Sequence, residues 1–187
     1  MSMEITFELS DEDLEFFRDI IRKNRERAGD VDEATVVENA RQLLLNIAAS
    51  NTSDFIRERM NRLETLIGMV VDKGWGLESH DRERVCEALA YFSEPEDLIP
   101  DDIPGLGFLD DAIMIEMVCR ELKHEIHAYR DFCVFRAAES NRLGQETHHM
   151  ESSDWLEERR KQLHARMQRR RSRRGDGKGG SSPFSLF

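Results

Sequence analysis

Apolar residues recur along this chain at intervals of three and four, separated by charged residues, over most of its 187 positions. That period marks amphipathic helices with one face turned inward. Strict alternation, the mark of a half-buried strand, is confined to Ile5, Phe7 and Leu9, which predict a short extended arm between Met3 and Leu9. Ser10-Asp-Glu-Asp13 then resembles a capping box with Asp in place of the usual Glu. It opens a predicted helix from about Asp11 to Arg27 that turns Leu14, Phe17, Ile20 and Ile21 inward and ends at Gly29-Asp30. A second helix follows Asp32, with Val36, Val37, Ala40, Leu43, Leu44 and Ile47 on one face. Asn51-Thr-Ser53 breaks it and caps a third, whose stripe is Ile56, Met60, Leu63, Ile67, Val70 and Val71. Lys73-Gly-Trp-Gly76 stops that helix, with Gly74 the expected left-handed residue.

Ser79 to Phe92 reads as a fourth helix, with Val85, Leu89 and Ala90 inward. A fifth, long helix is predicted from Leu109-Asp110 to about Ala138, burying Ile113, Met117, Leu122, Ile126, Tyr129 and Phe132. The polar stretch Glu139 to Ser153 is expected to loosen the chain. Asp154 to Arg174 is helical by propensity, with only Trp155, Leu156, Leu163 and Met167 to bury. Gly175 to Ser182 reads as a flexible linker to the terminal Pro183-Phe-Ser-Leu-Phe187. The fold class is all-α, a bundle of about five or six helices. Residues 1–78 form an N-terminal helical region, and 79–138 a helical hairpin in the same compact domain, with a punctuated loop at 93–111. A polar linker and basic helix occupy 139–174, and a flexible tail 175–187.

Charge divides the chain. Residues 1–158 carry 17 Lys/Arg against 37 Asp/Glu, whereas 159–187 carry ten Lys/Arg against one Asp, giving −11 in all. An acidic body with a basic end implies a tail that contacts a partner or folds back on its own body. Cys86, Cys119 and Cys133 lie in apolar helical patterns and are not spaced as metal pairs, so they read as buried thiols in a reducing compartment. The N-terminus has no basic start and no apolar core of a signal peptide. The longest apolar runs, such as Ile67-Gly-Met-Val-Val71, fall far short of the ~18 residues of a membrane span. The expectation is a soluble, cytoplasmic protein.

The loop carries the densest information. Pro95, Pro100 and Pro104 each fix a torsion and hold the preceding residue extended. Gly105 and Gly107 permit the positive torsions that close a turn. Leu98, Ile99, Ile103, Leu106, Phe108 and Leu109 are expected to anchor it, at roughly 1.5–3 kcal/mol for each buried side chain. Asp110 and Asp111 fall at the start of the next helix, where carboxylates meet free amides and the helix dipole. The run Tyr91-Phe-Ser-Glu-Pro-Glu-Asp-Leu-Ile-Pro-Asp-Asp-Ile-Pro-Gly-Leu-Gly-Phe-Leu-Asp-Asp-Ala112 resembles the signature of the YkvA-like family, a bacterial domain of unknown function. The prolines, glycines and three aspartates fall in register, and the resemblance spans about Arg82 to Arg130. It implies a helical hairpin and supplies neither a reaction nor catalytic residues. Many members of that family are membrane-associated; this chain lacks the apolar helices for it, so membrane placement is not carried over.

Several chemistries can be weighed. Asp97, Asp101, Asp102, Asp110 and Asp111 are candidate ligands for a divalent cation, since hard cations take clustered carboxylates. Their spacing is not that of the twelve-residue calcium loop. The competing reading has Asp97 cap a turn while Asp110 and Asp111 cap the helix. Glu121 and His124 show the spacing of one di-iron motif, but such bundles need two. His124 and His127 stand three apart, which does not match the zinc pattern of two histidines four apart. His148-His149 sits in a polar linker and reads as solvated. With no Walker loop, dinucleotide motif or nucleophile elbow, the reading leans away from an enzyme, and no cofactor is expected beyond a divalent cation.

The arginines 169, 170, 171, 173 and 174 are candidates for contact with a polyanion, with an electrostatic clasp onto the body as the alternative. The last residues resemble bacterial sliding-clamp-binding peptides of the form Gln-Leu-Ser/Asp-Leu-Phe, with Ser185, Leu186 and Phe187 matching and Pro183 and Phe184 departing. Leu186 and Phe187 are thus a candidate docking pair for a protein partner. Three function classes stand: a non-catalytic interaction or regulatory module, a divalent-metal-dependent protein, and a nucleic-acid-associated protein acting through the basic tail.

Overall fold

Each early helix begins where the sequence supplies a side-chain acceptor. In the computed structural model, which describes Thr6 and residues 8–27, 32–93, 98–100, 103, 106–143 and 154–175, α1 spans Asp11–Arg27. The Ser10 amide donates to Asp13 Oδ2 at 2.8 Å and the Asp13 amide to Ser10 Oγ at 3.2 Å, a reciprocal capping box. Asp32 opens α2 (Glu33–Ala49) by accepting the Thr35 amide at 3.0 Å. Ser53 opens α3 (Asp54–Val71) by accepting the Ile56 amide at 3.4 Å. Then follow α4 (Ser79–Ala90) with a 3-10 turn at Tyr91–Ser93, α5 (Leu109–Glu121), α6 (Lys123–Leu143) and α7 (Asp154–Gly175). The fold is all-α, with no strand among the described residues. No helix among them is long and apolar enough to cross a membrane.

The core forms around α3, which packs on α2, α4, α5 and α6. Its Leu63, Leu66 and Met69 are fully buried, against a core that includes Val36 and Ala40 of α2, Val85 and Leu89 of α4, and Ile115 and Val118 of α5. α1 lies outside, on α4 and the 3-10 turn, contributing Phe17 and Ile20 only in part. A second knot sits where α3 ends. The Asp72 carboxylate accepts both Arg136 guanidinium nitrogens at 2.9 and 2.6 Å, the Tyr129 hydroxyl at 3.2 Å and the Trp75 amide at 3.2 Å. Burial alone would push this carboxyl up, but Arg136 and the other donors outweigh it and hold it below the usual aspartate range. Trp75 is fully buried among Tyr129, Phe132 and His164, at 5.7, 5.2 and 4.3 Å between ring centres. One turn thereby bolts α3 to α6 and α7. Gly68 lets Tyr129 close on α3, since a Cβ there would lie 3.0 Å from its hydroxyl.

Several expectations shift. The left-handed glycine is Gly76 (φ 55°), because the amides of both Trp75 and Gly76 bond back to the Asp72 carbonyl and carry the turn two residues past Gly74. Val71 is exposed, one residue past the inward-facing Val70. The α-helical part of the fourth helix stops at Ala90, two residues short of Phe92. The long fifth helix is divided at Leu122 (φ −89°, ψ 20°), though Leu122 still bonds to Val118 and Ile126 to Leu122, each at 2.9 Å. The result is a joint in a nearly continuous rod. α6 continues past Ala138 to Leu143, since Glu139-Ser-Asn-Arg142 contains no Gly or Pro and closes an Arg142–Glu139 pair at 2.8 Å. Most of the arm at residues 3–9, the pair Gly29-Asp30, and residues 144–153 and 176–187 lie outside the described residues.

Candidate functional site

The signature turn is built from overlapping backbone bonds. The Ile103 amide donates to the Pro100 carbonyl at 3.1 Å, Leu106 and Gly107 to Ile103 at 3.2 and 2.8 Å, and Leu109 to Leu106 at 3.1 Å. Phe108, with φ 65°, adopts the left-handed conformation and starts α5 without a side-chain cap. For a bulky residue that conformation costs on the order of 1–3 kcal/mol, and burial of its ring in the core offsets it. Asp110, the second residue of α5, reaches back over the turn. Its Oδ2 accepts the amides of Leu98 at 2.8 Å and Ile99 at 3.1 Å, close to the positive end of the helix. Asp110 and Asp111 are both buried, and Asp110 Oδ1 has no hydrogen-bond partner among the described residues.

Three expectations about this turn are corrected. The positive torsion expected at Gly107 falls instead on Phe108. Asp110 clamps the turn instead of capping its own helix. The six apolar side chains expected to anchor the turn do not all go inside: Phe108 is buried, Ile99 and Leu109 are half-buried, and Leu98, Ile103 and Leu106 are 44, 38 and 52% exposed. The backbone bonds to Asp110 fix the turn, so side-chain burial is not required to hold it. Pro100 is exposed and Gly107 buried. Pro95, Asp97, Asp101, Asp102, Pro104 and Gly105 lie outside the described residues, so the structure describes only Asp110 and Asp111 of the proposed cation ligands. Among the described residues no group of three or more His, Cys, Asp and Glu is placed to hold a metal ion.

Other chemistry is also absorbed. Glu121 and Glu125 converge on Arg84, at 3.7 and 2.6 Å, so Glu121, the carboxylate of the di-iron-like pair, is engaged in an ion pair. Burial pushes the Cys119 thiol up to about 12, and burial with Glu33 alongside pushes Cys86 up to about 11. Burial likewise raises Cys133. All three thiols are unpaired, and none is poised as a nucleophile.

The basic helix α7 lies on α6 and buries Leu156, Leu163, Met167 and His164. Its Arg171 turns inward onto the buried Asp81 of α4, with Glu125 Oε1 at 3.6 Å. One of the five candidate arginines is therefore part of an internal clasp. Arg169 and Arg170 are exposed and, together with Arg159, Gln162, Leu163 and Arg166, line an open groove of about 520 Å³. The side chains of Arg173 and Arg174, like Leu186 and Phe187, lie outside the described residues. Arg159 and Arg166 belong to the same basic stretch of sequence that runs on to Arg174. Their spacing of seven and then three or four residues to Arg169 and Arg170 is the signal that places them on this face.

Fold and site together define a helical bundle organised around a carboxylate-clamped turn. Within it, residues 85–117 match the model of a family described as protein of unknown function (DUF1232). The match takes in the second half of α4, the turn and most of α5. No curated protein and no solved structure gives a significant match to the chain.

Proposed function

We propose that this chain is a YkvA-like, non-catalytic interaction module and that its signature turn faces a protein partner. The observation that carries this reading is the exposure of Leu98, Ile103 and Leu106 on a turn already fixed through its backbone by Asp110. A pre-ordered apolar surface loses little conformational entropy on association, and apolar anchors of this kind dominate binding energy. The raised thiols and the carboxylates engaged in ion pairs support a role without covalent chemistry. The unpaired cysteines fit a reducing, cytoplasmic setting. A photo-crosslinking residue placed at Leu106, with a second at the exposed Val134 on α6 as control, tests the proposal in the producing cell. A discrete adduct from position 106 alone supports it; none at 106, or the same adducts at both, refutes it.

A second reading, a divalent cation at the turn, is favoured by the buried, unpartnered Asp110 Oδ1. Thermal melting with Ca²⁺, Mg²⁺ or Mn²⁺ against EDTA tests it, since binding to the native state raises the midpoint. An unchanged midpoint with all three ions removes it.

A further inference from the structure

The groove arginines of α7 take little part in attaching the helix. Attachment runs through Leu156, Leu163, Met167 and the inward Arg171. Among the described residues Arg170 has no acidic partner and Arg169 bonds only within its own helix, to the Ala165 carbonyl at 3.2 Å. Arg159 lies 5.2 Å from the centre of the Phe135 ring, with Nε buried and lacking a hydrogen-bond partner among the described residues. Arg166 stands 3.6 Å from Asp131, both about half exposed, in a surface pair of the kind that contributes little.

We propose that this face of α7 binds the phosphate backbone of nucleic acid without reading sequence. The proposal is independent of the partner surface at the turn. From Arg159 to Arg170 the helix rises about 16 Å, over which one strand of a duplex carries about five phosphates. Guanidinium forks match phosphate oxygens, and the groove presents four of them. An anionic membrane is the poorer fit, because the apolar residues that would enter it (Leu156, Leu163 and Met167) are buried in the core. Stacking on bases is absent too: Trp155, the one aromatic residue of α7, packs edge-on against Phe135 at 5.6 Å. The acidic remainder of the chain repels a polyanion elsewhere and confines contact to this face.

Four neutralised phosphates give a slope of log K against log salt of about −3 to −3.6, a loss of roughly 50- to 150-fold between 50 and 200 mM. The test is fluorescence anisotropy of the full chain on labelled single-stranded and duplex oligonucleotides of about 20 nucleotides, above the site size of small single-strand binders. Wild type and Arg57→Glu, an exposed change on α3, are expected to bind alike with that slope. Arg166→Glu/Arg169→Glu/Arg170→Glu is expected to lose at least about tenfold and to flatten the slope, with an unchanged melt. Should the triple variant fold poorly, Arg170→Gln alone decides, with an expected loss of a few fold. No binding at low salt, or equal weakening in Arg57→Glu, overturns the proposal. So does binding only to phosphatidylserine vesicles, or groove-dependent self-association in sedimentation with no oligonucleotide binding.

Discussion

Replacing Asp110 by alanine is expected to unlatch the signature turn while leaving the helices assembled. Two backbone amides, Leu98 and Ile99, end on one carboxylate oxygen at 2.8 and 3.1 Å. Hydrogen bonds to a charged group contribute about 1.5–3 kcal/mol each, so two set an upper range of about 3–6 kcal/mol. Two features lower it. Leu98 is exposed, so water can reach its released amide, and the unpartnered Oδ1, buried at a cost in the native protein, disappears with the carboxylate. The expected loss is about 2–4 kcal/mol for Asp110→Ala, and about half that for Asp110→Asn, which keeps an acceptor but not its charge. Urea unfolding of the full chain measures both. Amide hydrogen exchange adds the locality: Leu98 and Ile99 should lose protection while the α3 amides keep theirs. A loss below about 0.5 kcal/mol for the alanine variant, within the range of ordinary surface changes, would refute the clamp. Unchanged exchange at the two amides would do the same.

Three further outcomes follow from the packing. Asp72 is held below the usual aspartate range in the folded state, so its stabilisation is present above the unfolded value and lost as pH falls through the folded one. Melts of wild type should therefore drop below about pH 4, whereas Asp72→Asn starts lower at neutral pH and declines less; parallel profiles would contradict this. Arg171→Ala leaves the buried Asp81 without its cation, while Glu125 keeps Arg84, and should cost about 3–5 kcal/mol in urea unfolding, partly recovered by adding Asp81→Asn. Gly68→Ala drives a methyl against the Tyr129 hydroxyl and should cost about 1–3 kcal/mol, and Tyr129→Phe in the same chain should return some of it in a double-mutant cycle.

The helices were legible because their signals are local. Ser10, Asp32 and Ser53 each cap the helix that the three-and-four pattern starts, and the stripe from Ile56 to Val70 is the buried face of α3. What eluded the sequence depends on distance. Periodicity runs straight through Leu122, so only tertiary packing reveals the joint there. An apolar residue in a loop looks the same whether a core or a carboxylate holds the turn, which is why Leu98, Ile103 and Leu106 read as anchors. Arg171 sits among exposed arginines, and nothing in the run distinguishes the one that meets Asp81, 90 residues away. The asymmetry between acidic body and basic end left both a clasp and a partner contact open, and among the described residues of that run only Arg171 is seen to turn inward.

The stretch matched by the family, residues 85–117, works as a keystone. Val85, Leu89, Ala112, Met114 and Ile115 are buried, and the surfaces that cover them come largely from outside the stretch: α4 leans on α2 and α3, and α5 on α3 and α6. Excised, the segment would be two short helices with bare apolar flanks, below the length at which isolated helices hold. The unit that recurs is thus smaller than the unit that folds. A protein carrying this keystone has to supply an arch around it, and here α2, α3, α6 and, through Trp75, α7 complete that arch. Deletion of α7 should accordingly register at Trp75 in the core, far along the chain from the cut.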